Sequence, residues 1–434
     1  MRLGRWGILA GIVCLGCVAL AAQQVSKQNR DDGMTMLSNI AKDVKKHYYD
    51  PRLHGLDFDA RIAQSQEKIK NAKTLGEVYA YIASPLDALN DSHTYFIPPL
   101  RTVKTNYGWR MQLIGDKCYV LDVKPGSDAE AKGLKAGDEI LTLNGYQPTR
   151  EVFEKMLYVY YTLRPVPVMN LEVRAPDGKS KQIAALSKQV QQKQNIQVGS
   201  WDWWQVVHRT AAESANETSA YYDMPGGGML LKLRDFEMTE RDAEVLLGKI
   251  GKYKWLLLDL RGNPGGSVTA LTRFLGGFFE NDVKIGDLVG REEKKPLVAK
   301  GHKDAFRGKM VVLVDSQSAS AAEIFARVMQ IEKRATVVGD RSSGLVMEAR
   351  SYDYRIGMDQ MFFYYAMITD ADIIMGDGKS LEGTGVQPDE VVLPTAEDLA
   401  TGRDPVITRA AARLGVLIAP EKAGKLFPYR WTKD

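Results

Sequence analysis

The sequence predicts a multidomain α/β protein whose three folded parts differ in how their apolar residues are spaced. From residue 22 to residue 100, apolar side chains recur every three or four positions, which is typical of amphipathic helices. Residues 101–188 contain short strand-like runs between glycine-containing turns, which favours a small β-rich domain. Residues 189–434 alternate apolar strands with helices, as in a layered sheet that carries helices on its faces.

Composition excludes several classes of protein. Of the 434 residues, 44% are hydrophobic and 26% are charged, which argues against a disordered chain and against a polytopic membrane protein. Lysine and arginine exceed aspartate and glutamate by 58 − 54 = 4, too little for an electrostatic nucleic-acid binder. Three cysteines and five scattered histidines form no disulfide framework, zinc motif or iron–sulfur motif. We therefore expect no metal centre and no nucleic-acid partner.

Residues 1–21 are predicted to be a secretory signal peptide. Arg2 and Arg5 form a basic start, Gly7–Ala22 is apolar, and Ala19-Leu20-Ala21 fits a small-residue cleavage site. An apolar stretch of roughly 16 residues is short for a membrane span, so membrane contact is expected only if the segment stays uncleaved as an anchor. The expected location is secreted or periplasmic.

The helical segment, residues 22–100, ends in a polar turn. Its apolar faces are formed by Met34, Leu37, Ile40, Val44 and Tyr48, then by residues in Ala60–Ala72 and Leu75–Leu89. The last of these runs is followed by Asp91-Ser92-His93-Thr94. Taken alone, His93 in such a turn is most simply a helix-end residue that binds a nearby carbonyl.

The middle part, residues 101–188, carries a dense pattern of turns. Strands are expected at Gly108–Leu113, Cys118–Val123 and Ile140–Leu143. A short helix should end at Gly133, and Asn144-Gly145 is a hairpin signal. The stretch Val123–Gly145 resembles a PDZ domain, because it matches almost all of the core pattern P-x-S-x-A…A-G-L…G-D-x-I-x-x-x-N-G.

The PDZ resemblance implies capture of the C-terminus of a peptide. Such domains add the peptide as an extra strand, and their backbone N–H groups cradle its terminal carboxylate. The matching cradle in this sequence consists of Tyr107, Gly108, Trp109, Arg110 and Met111. A purely structural role for the module is the alternative.

The C-terminal part, residues 189–434, places two small-residue loops after apolar strands. Strands are expected near residues 228–236, 255–260, 310–314 and 337–339, with helices near residues 239–250 and 319–331. Leu258–Gly266, of sequence LDLRGNPGG, continues directly from the second of these strands. Ser318–Ala326, of sequence SASAAEIFA, joins the third strand to a helix.

Ser320 has the position of an activated nucleophile. A serine at a strand-to-helix turn exposes its hydroxyl beside the free N–H groups and positive potential of the helix N-terminus. The Ala321 N–H would donate to an oxyanion, and Gly265-Gly266 lets backbone N–H groups approach a substrate carbonyl, so that an oxyanion hole is expected. The alternative for Ser318 and Ser320 is helix capping, a common role of serine.

Together with the PDZ-like stretch and Glu382–Asp389 (EGTGVQPD), these loops resemble the C-terminal processing, or tail-specific, serine peptidase family. The resemblance covers the chain from about residue 75 to residue 410, and the four motifs follow one another in the order of the family. It implies a crotonase-like α/β protease core that acts on proteins or peptides, and it implies no metal or organic cofactor.

One position departs from the best-known members of this family, which pair the serine with a lysine about two dozen residues later. Here Leu345 stands at that position, after Val337-Val338-Gly339, and leucine cannot take a proton. Ile331 likewise replaces the acidic residue of the family at the end of the nucleophile helix. A Ser–Lys dyad is therefore not supported, and only Lys333 and Lys379 lie near enough in sequence for an unorthodox one.

The candidate catalytic residues are more similar to the tricorn branch of the same superfamily, which uses Ser–His–Ser–Glu. Ser92-His93 stands where that branch has a Ser-His pair before its PDZ domain, and Glu382 matches its glutamate. The resemblance implies that Ser320 attacks the scissile carbonyl and that His93 takes its proton. Glu382, directly or through Ser92, would then hold the imidazole.

We therefore predict a serine endopeptidase that hydrolyses protein substrates and engages their C-termini through its PDZ domain. The alternative is a catalytically inactive pseudo-peptidase that has lost its lysine and only binds peptides. A carrier of apolar ligands, suggested by a retinoid-binding relative of the family, is a more distant alternative. The intact Ser320, His93 and Gly265-Gly266 favour the enzyme.

Overall fold

The computed structural model describes residues 25–101, 103–191, 219–357 and 361–431. The predicted signal peptide, residues 1–21, lies outside these ranges. Within them no helix is both long enough and apolar enough to cross a membrane. The architecture is mixed α/β, as the sequence predicts, with an N-terminal group of helices, a middle antiparallel sheet and a C-terminal layered core.

The N-terminal segment forms three helices, which confirms the helical periodicity of its sequence. They are α1 (Lys27–His47), α2 (Phe58–Lys70) and α3 (Leu75–Asp87). Each begins at a side chain that accepts a hydrogen bond from the first turn, namely Ser26, Asp57 and Thr74. Their apolar faces pack together and against Phe96 and Tyr364 in one buried cluster.

The middle part is an antiparallel sheet that follows two short strands, β1 (Tyr95–Ile97) and β2 (Val103–Asn106). Its strands lie in sequence order: β3 (Trp109–Ile114), β4 (Lys117–Val123), β5 (Glu139–Leu143), β6 (Val168–Arg174) and β7 (Ser180–Leu186). The helices α4 (Asp128–Ala131) and α5 (Phe153–Leu157) connect them. Asn144 and Gly145 both have positive φ, 48° and 83°, as the predicted hairpin turn requires.

The C-terminal core is built on a six-stranded sheet whose strands are parallel except at one edge. Its strands are β9 (Ser219–Met224), β10 (Gly228–Leu233), β11 (Trp255–Asp259), β14 (Lys309–Val314), β15 (Thr336–Gly339) and β18 (Glu390–Val391), with β9 antiparallel to β10. The remaining short strand, β8 (Lys188–Gln191), pairs with β2.

Helices cover both faces of the six-stranded sheet. They are α6 (Glu240–Ile250), α7 (Val268–Gly276), α8 (Ala321–Ile331), α9 (Ala396–Thr401), α10 (Pro405–Arg413) and α11 (Pro420–Ala423). Alternate residues of the strands divide between two buried clusters. Leu256 and Leu258 pack with α6, α7 and α8, whereas Leu257 packs with α10. This alternation is the pattern of a parallel sheet buried on both sides.

A second sheet attaches the N-terminal helices to the core. It contains β1, β12 (Val283–Gly290), β13 (Lys294–Ala299), β16 (Met347–Ile356) and β17 (Phe362–Met375). Strand β1 pairs with the middle of β17, with Tyr95 opposite Met367. This pairing brings the polar turn before β1 next to the core.

The β3–β4 hairpin of the middle sheet contacts the loops that follow β14 and β15. The Gln112 side-chain amide donates to Asp315 (2.7 Å), and the Gly115 N–H donates to Asp340 (2.8 Å). Arg150, from the loop before α5, forms an ion pair with the same Asp340 (2.8 Å). The middle sheet is therefore joined to the core at the loops that carry the candidate nucleophile.

A C-terminal strap, residues 427–431, forms a separate contact between the core and the middle sheet. Phe427 packs against the apolar cluster under α10. The Arg110 guanidinium of β3 lies 3.7 Å from the ring centroid of Tyr429, and the Tyr429 and Trp431 rings meet edge to face at 5.1 Å. Burial raises the pKa of the Asp122 carboxyl of β4, and the hydrogen bond from the Val123 N–H and the charge of Arg110 partly offset this rise.

We expect Tyr429→Ala to loosen the β3–β4 hairpin, because a cation–aromatic contact of this kind is worth about 1 kcal/mol. Hydrogen exchange of residues 109–123 should accelerate by roughly fivefold, while exchange in α6 stays unchanged. Tyr221→Ala is the matched control, since Tyr221 of β9 has a similar contact with Lys249 of α6. Equal exchange of the hairpin in both variants would show that the strap does not hold it.

Candidate active site

Three loops lie close together at the carboxyl edge of the parallel strands. They comprise residues 260–266 after β11, 315–320 after β14 and 340–346 after β15. Open parallel sheets bind their ligands at this edge. The Ala319 N–H donates to the Asn263 carbonyl (2.9 Å), which ties the second loop to the first. The sheet therefore brings together the two motifs that the sequence singled out.

Ser320 lies immediately before α8 in a strained backbone conformation, with φ 51° and ψ −117°. Such a conformation is uncommon outside glycine and fits a nucleophile on a sharp strand-to-helix turn. The Glu323 N–H donates to the Ser320 carbonyl (2.9 Å), and the Ser320 N–H in turn donates to the Glu323 carboxylate (3.0 Å). By contrast, the buried Ser318 hydroxyl donates to the Leu260 carbonyl (2.8 Å) and accepts from the Asp315 N–H (2.9 Å), which is a structural role.

Ser92, His93 and Glu382 form a chain of hydrogen bonds, although Glu382 lies 290 residues from Ser92. The Ser92 Oγ is 2.6 Å from the His93 Nδ1 and 2.9 Å from the Glu382 Oε2. The Ser92 N–H donates to the other oxygen of Glu382 (2.8 Å). The polar turn before β1 and the loop after β17 thus meet through side chains that the sequence singled out.

The ionisation of Glu382 determines which group donates and which accepts in each hydrogen bond of this chain. An ionised Glu382 can only accept, so the Ser92 hydroxyl donates to it and accepts the N–H of the His93 Nδ1. The proton then sits on Nδ1, and Nε2 keeps its lone pair. A histidine in this tautomer can act as a general base through Nε2.

Ser320 and His93 are connected through hydrogen bonds of other residues between them. The described residues include no hydrogen bond between the Ser320 Oγ and the His93 ring. Instead the Ser320 N–H donates to the Leu345 carbonyl (3.0 Å), and the next residue, Val346, donates its N–H to the Glu382 Oε2 (2.8 Å). Catalytic hydrogen bonds are often loose without substrate and tighten when it binds.

The candidate oxyanion donors need one correction. The Gly265 N–H already donates to the Asn263 Oδ1 (2.8 Å), so it is not free for an oxyanion. Within the described ranges, the Gly266 and Ala321 N–H groups have no hydrogen-bond partner. Gly265 is instead required for space, because a Cβ there would lie 2.7 Å from the Ser320 Cβ. Two candidate donors, Gly266 and Ala321, remain beside Ser320.

Glu323, which the sequence analysis did not single out, fixes the loop beside Ser320. Its buried carboxylate accepts from the Ser320 N–H (3.0 Å), the Ser342 hydroxyl (2.5 Å), the Gly344 N–H (2.8 Å) and the Leu345 N–H (3.0 Å). The signal for it was the Ser-x-x-Glu spacing of a capping box, with Glu323 three residues after Ser320. Burial raises the pKa of Glu323 to about 7, although these hydrogen bonds lower it.

We expect Glu323→Gln to change how stability depends on pH. A carboxyl whose pKa is raised from 4.5 to about 7 on folding costs no stability below pH 4.5. Between those values only the unfolded chain ionises, so the free energy of unfolding falls, by roughly 3 kcal/mol in all. Urea denaturation at pH 5 and pH 8 should therefore show a smaller decrease for Glu323→Gln than for wild type. An equal decrease would contradict the raised pKa.

Glu382, which is half-buried, is a second carboxyl whose protonation matters near neutral pH. Burial raises the pKa of Glu382 to about 7, whereas His93 and the hydrogen bonds from Val346 and Ser92 lower it. Below that pH the protonated carboxyl no longer offers two accepting oxygens to Ser92. The hydrogen-bonded chain to His93 is therefore expected to form fully above about pH 7.

The predicted carboxylate cradle of the middle sheet is partly occupied by internal hydrogen bonds. The Gly108 N–H donates to the Asn106 Oδ1 (2.8 Å), so this amide is not free for a peptide carboxylate. Gly108 has φ 74°, and a Cβ there would lie 2.6 Å from the Ser127 Cβ. Tyr107 is buried, and its hydroxyl donates to the Tyr160 carbonyl (3.0 Å). These two positions have structural roles, which corrects the expectation that both line the cradle.

The remaining cradle residues lie on β3, an edge strand of the middle sheet. Trp109 and Met111 point into the core of that sheet, whereas Arg110 contacts the strap. The Leu113 carbonyl accepts a hydrogen bond from the Ser316 hydroxyl of the nucleophile loop. An added peptide strand would therefore lie close to the loop that carries Ser320.

The described ranges offer one thiol and no cluster of metal ligands. Cys118 is buried in the core of the middle sheet, where burial raises the pKa of its thiol. No three histidine, cysteine, aspartate or glutamate side chains of the described residues lie close enough together to hold a metal ion.

Comparison with known proteins decides the family. Residues 229–392 match the model of peptidase family S41, and residues 103–157 match that of the PDZ domain. The chain combines an S41 peptidase domain with a PDZ domain. The chain is 25% identical, over 387 residues, to the chloroplastic carboxyl-terminal-processing peptidase 1 of Arabidopsis thaliana. That alignment covers 85% of the chain and 72% of the relative.

Solved structures share the fold of the S41 peptidase. Mature CPAF superimposes with a TM-score of 0.64 at 14% identity, covering 86% of this chain and 94% of that one. The photosystem II D1 C-terminal processing protease gives 0.52 at 18% identity, covering 92% and 100%. The resemblance to C-terminal processing peptidases is confirmed. The protein is a serine-type peptidase whose substrates are proteins, and no comparison favours the inactive alternative.

Proposed function

We propose that this S41 peptidase is an endopeptidase in which Ser320 is the nucleophile and His93 the general base. The chain from Glu382 through the Ser92 hydroxyl to the His93 Nδ1 carries this proposal, because it leaves Nε2 ready to accept a proton. Leu345, whose side chain holds no titratable group, stands where the resemblance to tail-specific peptidases implies a lysine. A histidine mechanism needs no lysine there.

The proposed reaction has two halves. The Ser320 Oγ attacks the scissile carbonyl while its proton passes to the His93 Nε2, and the Gly266 and Ala321 N–H groups bind the oxyanion. The imidazolium is stabilised by Glu382 through Ser92. His93 then protonates the leaving amine, and water, activated by the same nitrogen, hydrolyses the acyl-enzyme.

Cleavage of an unstructured protein tests the endopeptidase assignment. Mature protein should cut casein at internal bonds, and mass spectrometry of early products should find fragments with new N- and C-termini. Fragments that arise only by stepwise shortening from one end would contradict an endopeptidase. Binding of casein with no cleavage between pH 5 and pH 9 would instead support a peptide-binding pseudo-peptidase.

We also propose that the PDZ domain recognises substrate C-termini by strand addition along β3, at Trp109–Met111. The position of β3 at the end of the strand order of the middle sheet supports the proposal. Contacts of the same hairpin with the nucleophile loop, through Gln112 and Asp315, would let peptide binding influence access to Ser320. Substrate capture and control of the catalytic site would then share one surface.

We expect peptides that end in an apolar residue with a free carboxylate to bind best. C-terminal amidation removes the anion and should weaken binding by roughly tenfold or more, since a charge-assisted hydrogen bond is worth about 1.5–3 kcal/mol. Fluorescence anisotropy with Ser320→Ala protein compares the two forms without cleavage. Equal affinities would contradict recognition of a terminal carboxylate.

The proposed location is secreted or periplasmic, through the predicted signal peptide of residues 1–21. N-terminal sequencing of protein from an exporting host tests it. A mature N-terminus after Ala21 supports cleavage, and an intact Met1 in the membrane fraction would support an anchor instead.

A further inference from the structure

Asp91 organises the loop that carries His93. Its Oδ1 accepts from the N–H groups of His93 (2.9 Å) and Thr94 (2.8 Å), and from the Thr369 hydroxyl (2.7 Å) of β17. The preceding Asn90 has φ 55°, so the chain leaves α3 in a sharp turn. The carboxylate of Asp91 therefore provides the hydrogen bonds that hold this turn.

Thr369 connects this loop to the rest of the fold. Its N–H donates to the Thr94 hydroxyl (3.0 Å), and its carbonyl accepts from the Tyr49 N–H (3.0 Å) just after α1. Thr369 is completely buried. Hydrogen bonds through Thr369 and Asp91 thus connect the backbone of His93 to the second sheet and to the end of α1.

The charge of Asp91 reaches several titratable groups. The titratable groups that face this loop, or that interact electrostatically with a group facing it, are His93, Glu382, Tyr48, Tyr49, Asp50 and Asp372. Burial, and then Asp91, raises the pKa of the Tyr48 phenol, which therefore stays protonated beside the carboxylate. Asp91 also contributes to the raised pKa of Glu382, because two like charges oppose one another.

We propose that Asp91 is the positioning residue of the catalytic base: its carboxylate fixes the backbone from which His93 projects, and its charge moves to higher pH the range over which the Glu382–Ser92–His93 chain works. This inference rests on the proposed function of His93. Asp91 touches no substrate and transfers no proton. It acts through the N–H groups of His93 and Thr94, which it binds, and through its charge.

Asp91→Asn separates geometry from charge. The asparagine Oδ1 still accepts the same three hydrogen bonds, so the melting temperature should stay within a few degrees of wild type. Loss of the negative charge should shift the pH profile of kcat/KM to lower pH by roughly half a unit. A profile that coincides with wild type would overturn the charge part of the proposal.

Asp91→Ala also removes the hydrogen bonds, and kcat should fall by roughly 10- to 100-fold with KM little changed. Asp57→Ala is the matched control, because Asp57 likewise accepts a backbone N–H, that of Ala60 (3.0 Å), at the exposed start of α2. It should stay within twofold of wild-type kcat. Equal kcat in the two alanine variants would overturn the positioning role.

A readout without cleavage distinguishes failure of this inference from failure of the proposed function. In protein with ¹³C-labelled histidine, the His93 Cε1–H signal, assigned by its loss in His93→Ala, should change its chemical shift in Asp91→Ala, because the ring no longer projects from a fixed backbone. An unchanged signal overturns the inference about Asp91. A changed signal in a protein whose casein cleavage is unaffected by His93→Ala supports the positioning of His93 by Asp91 and contradicts the catalytic role proposed for His93.

Discussion

Replacing Ser320 with alanine is expected to abolish casein cleavage, lowering kcat by a factor of roughly 10⁴ or more. The change removes the oxygen that would form the acyl-enzyme and leaves only the oxyanion donors and substrate binding. Stability should change little, because one small hydroxyl contributes little to the core. Initial rates of casein cleavage and a thermal melt measure both effects.

Ser318→Ala is the control for this experiment. Its hydroxyl links the loops after β11 and β14, so its loss should lower the melting temperature by several degrees while casein cleavage persists. The opposite result, an active Ser320→Ala and an inactive but folded Ser318→Ala, would show that Ser318 and not Ser320 is the nucleophile.

His93→Ala should produce the second large loss, a factor of roughly 10³ or more in kcat/KM. Without the imidazole, no group takes the Ser320 proton or protonates the leaving amine. In wild type, kcat/KM should rise with pH through about 7, because Glu382, whose pKa lies near that value, must ionise to accept from Ser92. Activity is thus expected to be low at pH 5 and high at pH 8.

Lysine variants are the controls for the base. Lys333→Ala and Lys379→Ala should stay within a few-fold of wild type, because neither side chain belongs to the hydrogen-bonded chain. Glu382→Gln should lose less activity than His93→Ala, since Glu382 orients the imidazole and transfers no proton. Near-normal turnover in His93→Ala together with an inactive lysine variant would replace the histidine mechanism with an unusual Ser–Lys dyad.

Much of the fold could be predicted from local patterns. Apolar spacing predicted the three N-terminal helices, and Asn144-Gly145 predicted the hairpin after β5 because both residues must adopt positive φ. The loop containing Ser320 followed from small residues between a buried strand and a helix. Ser92, His93 and Glu382 were singled out by resemblance, since no spacing in the sequence shows that residues 290 positions apart touch.

Other features depend on side chains that only the folded chain brings together. Gly265 and Gly108 looked like free backbone donors, but Asn263 and Asn106, each two residues earlier, accept their N–H groups. Whether an asparagine turns back onto its own loop depends on the surrounding packing, which a sequence does not reveal. The same holds for Glu323, whose four hydrogen bonds come from two separate segments.

The contact between the strap and Arg110 could not be predicted either. Tyr429 and Trp431 lie more than 300 residues from β3 in the chain, and their aromatic character alone would equally fit a core position. Arg110 was expected in a peptide cradle because its neighbours in sequence matched one. In a strand, however, successive side chains point to opposite faces, and Arg110 lies on the face that the strap covers.

The central claim is that a histidine, and no lysine, activates Ser320. Its most direct test is the rate at which a fluorophosphonate labels the protein, with the modified residue mapped by peptide mass spectrometry. We predict a single adduct on Ser320 in wild type, formed at least 100-fold more slowly in His93→Ala and at wild-type rate in Lys333→Ala and Lys379→Ala. An adduct on another serine, or labelling of Ser320 that is unaffected by His93→Ala and lost in either lysine variant, would contradict it.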